Sequence, residues 1–217
     1  MRPILLFIPL LVLPLSLPAQ TGGPELEVYL QRQISDWKIE GDTVETRMNR
    51  LGLRLHEQFL DGLWLGLHGG YLSLTQSGSP STRGMDLTGW YLGTSGRWRM
   101  LQAGPATLSA LGRFTYHEAD ANDAGQSTRL VWNEWGAGLE SAFRFDPLQL
   151  RLGVDYARVD GDETARGDIR RSATLREDES VTATAAMDVF VDATGRVTLQ
   201  VESGGRRSAG IWFSRQF

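Results

Sequence analysis

From Leu26 to Phe217, apolar and polar residues alternate along the chain, and this period of two restricts the possible folds more than any other feature. The clearest run puts Leu148, Leu150, Leu152, Val154 and Tyr156 on one face and Gln149, Arg151, Gly153, Asp155 and Ala157 on the other. A helix would repeat its apolar positions every three to four residues. Strict alternation instead describes a strand whose two sides meet unlike surroundings.

Ten such strands are expected, at 25–34, 44–56, 63–75, 85–100, 106–117, 129–145, 148–158, 180–191, 196–203 and 207–217. Four connections are short and built from turn formers: 57–62, 102–105, Asp146-Pro147 and 192–195. Four are longer and polar: 35–43, 76–84, 118–127 and 159–179, with only the connection around Ser203-Gly204-Gly205 short on that side. The expected fold is therefore all-β: a closed antiparallel up-and-down barrel of ten strands. Eight strands is the alternative, should 180–191 and 196–203 form a hairpin outside the wall.

Which side of such a barrel is apolar depends on its solvent. Only 41% of the residues are hydrophobic, which is low for a membrane protein of helices but sufficient for a barrel, where every second residue meets lipid. An open sheet edge in hydrocarbon would leave unpaired backbone amides, so the first strand must pair with the last. Aromatic residues support the membrane reading. Phe114, Tyr116 and Tyr156 fall toward the long-loop end of the apolar face and Phe143, Phe145, Phe213 and Phe217 toward the other, sketching two interfacial girdles. The competing reading is a soluble barrel with these aromatics in its core.

Met1 to Ala19 has one cation at Arg2, an apolar run from Ile4 to Leu17, and a small residue at Ala19, the order of a cleavable export signal. Pro9, Pro14 and Pro18 interrupt the run, which weakens the alternative of a transmembrane anchor. The expected organisation is a signal peptide at 1–19 and one barrel domain at 20–217. With no cysteine, the chain can hold neither a disulfide nor a thiolate metal site. A net charge of −4 offers no field for nucleic acid.

The last stretch carries Ala209, Ile211, Phe213 and Phe217 on one face. It resembles the carboxy-terminal assembly signal of bacterial outer-membrane β-barrel proteins, with a terminal Phe and apolar residues at alternate positions before it; Arg215 departs from that pattern. The resemblance implies a bacterial outer-membrane location; with the short turns facing the periplasm, the even strand count then places both termini there as well. It also implies contact with outer-membrane lipid and lipopolysaccharide, and recognition by the barrel-assembly machinery through Ile211, Phe213 and Phe217.

Ten strands is also the count of the omptin surface proteases, whose catalysis resembles an Asp pair facing an Asp-His pair. The histidines here are His56, His68 and His117. His117, beside Glu118 and Asp120, is expected at an outer rim, with Asp160 and Asp162 as the only facing carboxylates, and no family motif surrounds them. Lipid A deacylation would need a His, a Ser and an acid on the lipid-facing wall, whereas His117 falls on the inward phase.

The inward phase carries both charge signs: Glu27, Glu134, Glu140, Asp155, Asp188 and Glu202 against Arg50, Arg54, Arg97, Arg99, Arg113, Arg144, Arg151 and Arg196. Isolated charges would be prohibitive inside a barrel, so these should pair across it. Arg suits this role because its planar fork spans two carboxylates. The network reads as an ionic plug filling a narrow barrel, or else as the lining of a narrow channel for small polar solutes, with Gly66, Gly70, Gly136, Gly138, Gly153 and Gly210 leaving room for water.

The connection 159–179 is expected to be a solvated, mobile loop; its Asp160-Gly161-Asp162-Glu163 run lacks the spacing of a calcium loop. No phosphate-binding glycine loop, zinc signature or nucleophile elbow is present, and no cofactor or metal is expected. The expected role is structural or surface-interacting, the alternatives being the narrow channel and a surface hydrolase centred on His117.

Overall fold

The computed structural model describes residues 23–123 and 125–217; the expected signal segment lies outside them. Eleven antiparallel strands form the molecule: β1 (Glu25–Ile39), β2 (Asp42–Leu60), β3 (Leu63–Ser77), β4 (Leu87–Ala103), β5 (Ala106–Asp123), β6 (Gln126–Phe145), β7 (Leu148–Gly167), β8 (Arg171–Glu177), β9 (Val181–Phe190), β10 (Gly195–Gly204) and β11 (Arg206–Gln216). Ten of them close a ring in the order β1 to β7, then β9, β10, β11 and back to β1. The closing pairing runs from Glu25 opposite Gln216 to Ser35 opposite Arg206, so the first and last strands seal as expected.

The end carrying Glu25 and Gln216 is here termed the near end. Its turns are tight: Asp61-Gly62, Gly104-Pro105, Asp146-Pro147 and the residues between Phe190 and Gly195. The far end differs from expectation, because three of its four long connections are largely strand. β1 and β2 extend to a two-residue turn, where Glu40 (φ 54°) and Gly41 (φ 97°) adopt the left-handed conformations of a tight hairpin turn. β5 and β6 extend to Asp123 and Gln126. The supposed mobile loop at 159–179 is a hairpin in which β7 continues to Gly167 and β8 pairs back on it, Asp160 opposite Arg176 through Ala165 opposite Arg171.

β8 also pairs with the top of β1, Trp37 to Ile39 against Glu177 to Leu175. At the far end β1 to β8 therefore close a second ring, of eight strands. The step from ten strands to eight falls where β9, β10 and β11 stop, and the single strand β8 replaces them. The eight-strand alternative is thus wrong for the lower wall, where β9 and β10 pair fully, yet eight is the count of the extension above it.

The two tiers have opposite polarity. In the ten-stranded tier the exposed side chains include Leu26, Val28, Leu30, Leu51, Leu53, Leu55, Leu65, Leu67, Leu92, Leu139, Leu150, Leu152, Val154, Leu199 and Val201. An outer belt of this composition is suited to hydrocarbon and costly in water. In the eight-stranded tier the apolar residues point inward. Trp37, Ile39, Val44, Met48, Leu72, Leu74, Leu87, Leu130, Trp132, Val159, Ala173 and Leu175 form one buried cluster. Trp37 meets Trp132 edge-on at 5.3 Å between ring centres.

The connection from Ser77 to Leu87 folds over this cluster. Its 3-10 turn at Pro80–Thr82 buries Ser81 and Thr82. Ser81 bonds Glu163 through its hydroxyl and accepts at its carbonyl from Thr128 Oγ1 (2.7 Å), while Arg171 Nε donates to Glu163 (2.8 Å) and Nη2 to Ser79 (3.2 Å). The far end is thereby closed by packed side chains beneath a bonded loop.

Candidate functional site

Below that cap, the ten-stranded tier encloses a polar vestibule of about 760 Å³. Its walls reach Gly104, Pro105, Thr194 and Gln216 at the near-end turns and stop at Tyr91, Thr115, Glu134, Arg206 and Trp212. The vestibule therefore opens at the near end and is blind at the other.

Eleven of the residues predicted for the interior charge network divide into three connected groups, while Arg99, Arg144 and Glu202, which also line the vestibule, stand outside them, Glu202 accepting from Gln200 (2.9 Å). At the mouth, Arg196 spans Glu25 (2.8 and 2.5 Å) and Glu27 (3.2 Å), and Arg54 reaches Glu27 (3.2 Å). On the opposite wall Arg97 and Arg151 share Glu140, each at 3.0 Å, and Arg151 also holds Asp188 (3.0 Å), which accepts further from Gln149 and Thr198. At the waist, Glu134 receives Arg206 (2.6 Å), Arg113 (3.0 Å) and Arg50 (3.4 Å), and Arg113 continues to Asp155 (3.4 Å). Three guanidinium groups on one carboxylate oppose the desolvation cost of burying it.

The waist contains the residues that sequence reading missed. Arg206 is only 3% exposed and forks onto Glu177 through two bonds of 2.6 and 2.7 Å. Its inward phase follows from Ser208, Trp212 and Ser214, but the strand was expected to begin one residue later. Glu177 was assigned to the supposed loop. Glu25 was overlooked although it continues the phase of Glu27. Of the remaining arginines, Arg99 reaches the turn residue Asp61 (2.7 Å) and lies over Trp64, and Arg144 stacks on Phe190 at 4.1 Å.

Four of the glycine gaps expected along the inner wall are occupied by neighbouring side chains, while Gly70 and Gly153 face backbone of the adjoining strand first. A Cβ built on Gly136 would lie 2.8 Å from Arg113 Nε, and one on Gly210 would lie 2.6 Å from the Trp212 ring. Gly66 likewise receives His56, and Gly138 receives Asp155. Missing side chains here make room for large ones and do not leave a continuous water path.

His117 is not at an outer rim. It is 0% exposed, its ring lies flat on Trp132 (4.6 Å, 3° between planes), and Nε2 accepts from Arg50 (3.1 Å). The placement error has a simple origin: β5 continues six residues beyond His117, so the residue lies under the cap. Asp160 and Asp162 lie on the outer face of β7, separated from His117 by the wall, while Glu163 points inward. These residues do not assemble into the omptin arrangement or a calcium site.

Among the described residues, one group could hold a metal by proximity: ligand atoms of Glu25, Glu27 and His56 lie within 4.8 Å of one another. Both carboxylates already bind guanidinium groups of Arg196 and Arg54, which supply the cationic charge there. On β11, Phe213 projects from the outer face on the same side as Ile211, Phe217 lies exposed just past the strand's end, and Arg215 turns toward Asp192 (4.0 Å).

No family model and no curated protein matches the chain. Solved structures share its architecture. It is similar to the outer membrane protease OmpT from Escherichia coli (8% identity, 93% of this chain and 99% of that one, TM-score 0.53). It is also similar to the translocator domain of the autotransporter NalP from Neisseria meningitidis (12%, 93% and 91%, 0.52) and to an outer membrane channel from Pseudomonas putida F1 (14%, 92% and 97%, 0.51). At these identities the likeness is one of fold. The chain has the fold of bacterial outer-membrane β-barrels.

Proposed function

We propose that the protein is a non-conducting barrel of a bacterial outer membrane, with the near end and both chain termini in the periplasm, and that its role is structural or surface-interacting. The observation that carries this reading is the filled far tier. Trp37, Leu72, Leu74, Leu130, Trp132 and Leu175 are each at most 1% exposed, and the 78–86 connection is bonded over them. A solute would have to unpack a dry core and also break the Arg206–Glu134–Glu177 waist. The orientation is supported by the short turns at the near end and the tall polar extension at the other, the asymmetry usual in such barrels. A hydrolase centred on His117 would require that residue at solvent, and Trp132 covers it.

Conductance of the purified, folded protein in planar lipid bilayers tests the proposal. Silence at both polarities is expected. Stepwise openings from the intact chain would replace it with the channel reading, with the vestibule as entry.

A further inference from the structure

We infer that Arg32, Arg47 and Arg207 form a binding site for the phosphate groups of an outer-leaflet lipid headgroup, an inference that rests on the far end facing outward. All three project from the outer face of neighbouring strands β2, β1 and β11. Arg47 and Arg207 both stand in register with Ile34, one on either side, which places their Cα atoms about 10 Å apart at ordinary strand spacing. Arg32 follows two residues nearer the membrane belt. Three flexible cationic side chains thus surround one apolar residue.

The position of this triangle matters more than its charge. Arg32 is flanked in register by Asn49 and Ala209, and the next row below carries Leu30 and Leu51, each about half exposed, at the upper edge of the lipid-facing belt. The guanidinium groups therefore stand where hydrocarbon gives way to headgroups. On β3 to β6 this boundary is aromatic, with Tyr71 in register with Leu51 and then Trp90, Tyr116 and Trp135, and on β7 a single arginine, Arg158, stands in register with Trp135.

The acids do not cancel the cluster. Glu45 accepts from Arg47 through both Nε and Nη2 at 2.8 Å and lies 3.7 Å from Arg207, so one carboxylate stands against three guanidinium groups. Asp36, opposite Glu45, sits on the row farther from the belt. Arg32 meets no carboxylate within 4 Å among the described residues. On β7, Arg158 is likewise held by two bonds to Asp160 (2.5 and 3.1 Å), which also faces Arg176, and Arg129 pairs with Glu118 (2.7 Å), so neither of those sites offers a cation without a carboxylate as Arg32 does. Guanidinium forks suit phosphate oxygens, and the apolar belt directly below suits acyl chains. A lipid satisfies both surfaces, whereas inorganic phosphate satisfies one.

The test uses the full folded chain in detergent micelles with bisphosphorylated lipid A as probe, and the same lipid stripped of its phosphates as reference, read by native mass spectrometry. The triple variant R32A/R47A/R207A is expected to bind lipid A on the order of 100-fold more weakly, from about fivefold per cation at a membrane surface. R158A/R176A should bind like the parent. Heat-modifiable migration on gels confirms that each variant is folded. Equal binding by the triple variant and parent, no preference for the phosphorylated lipid, or displacement by millimolar inorganic phosphate would overturn the inference. Orientation is read separately by labelling Thr164→Cys on intact cells with a membrane-impermeant reagent. Labelling only after permeabilisation removes the outward-facing premise, while the micelle assay still reports on the arginines.

Discussion

The two tiers of this barrel share strands, pleat and register, yet they are built as opposites. Along β7 the outer row runs Leu148, Leu150, Leu152, Val154, Tyr156 and then Arg158, Asp160, Asp162, Thr164, Arg166. The inner row runs Gln149, Arg151, Gly153, Asp155 and then Ala157, Val159, Gly161, Glu163, Ala165. The side-chain phase never slips; only the polarity assigned to each phase changes, at Tyr156 and Ala157. Backbone hydrogen bonding is indifferent to that choice, and the surrounding solvent makes it. In lipid the exterior must be apolar and the small interior can hold paired charge. In water the same cylinder must bury its apolar row.

The comparison is broken most directly at the interior of each tier. Trp132→Ala should cost about 3–5 kcal/mol of unfolding free energy, because it empties the far-tier core between Trp37 and His117. Urea titration of the protein refolded into lipid vesicles measures it. Glu134→Gln should cost about 3–5 kcal/mol in the same assay by leaving Arg206, Arg113 and Arg50 short of counter-charge. If the tryptophan change is mild and the glutamate change severe, the ionic waist rather than the apolar cap holds the far tier together.

Next in size is a contrast on one outer row. Leu152→Arg, at the middle of the belt, should cost about 2–4 kcal/mol, whereas Thr164→Arg on the extension should stay within about 0.5 kcal/mol. Equal effects would show that both tiers meet the same solvent.

The smallest effect is expected at a near-end turn, where Asp192 Oδ1 accepts from the Thr194 amide (2.8 Å), the Thr194 hydroxyl (2.9 Å) and the Gly195 amide (2.7 Å). Those donors, the Thr194 amide foremost, hold the Asp192 carboxyl below its ordinary value. A depressed carboxylate stabilises the fold above its unfolded pKa of about 4 and loses that contribution as pH falls through the folded value. Asp192→Asn should therefore differ slightly from the parent at pH 7, and the gap should close in the acid range; a gap independent of pH would mean the charge plays no part.

Legibility followed the polarity pattern. The near tier was readable because apolar and polar positions alternate with the sense expected of a lipid-facing wall. The strand ends beyond residues 34, 117 and 158 were read as loops because there the apolar residues switch to the other phase. Asp36, Lys38, Asp160 and Asp162 then resemble loop polarity when they are the water-facing half of a strand. Arg206 lies one residue before the start expected for the last strand, and Glu177 lies on β8, within the expected loop 159–179.

Local sequence alone determined the period, the approximate strand count and the inward phase of the near tier, because each is a property of neighbours along the chain. Tertiary closure decided the rest. That β8 returns to β1, that ten strands narrow to eight, and that Arg206 meets Glu134 and Glu177 all depend on pairings between residues far apart in the chain. Alternation within one strand carries no information about its partner across the ring.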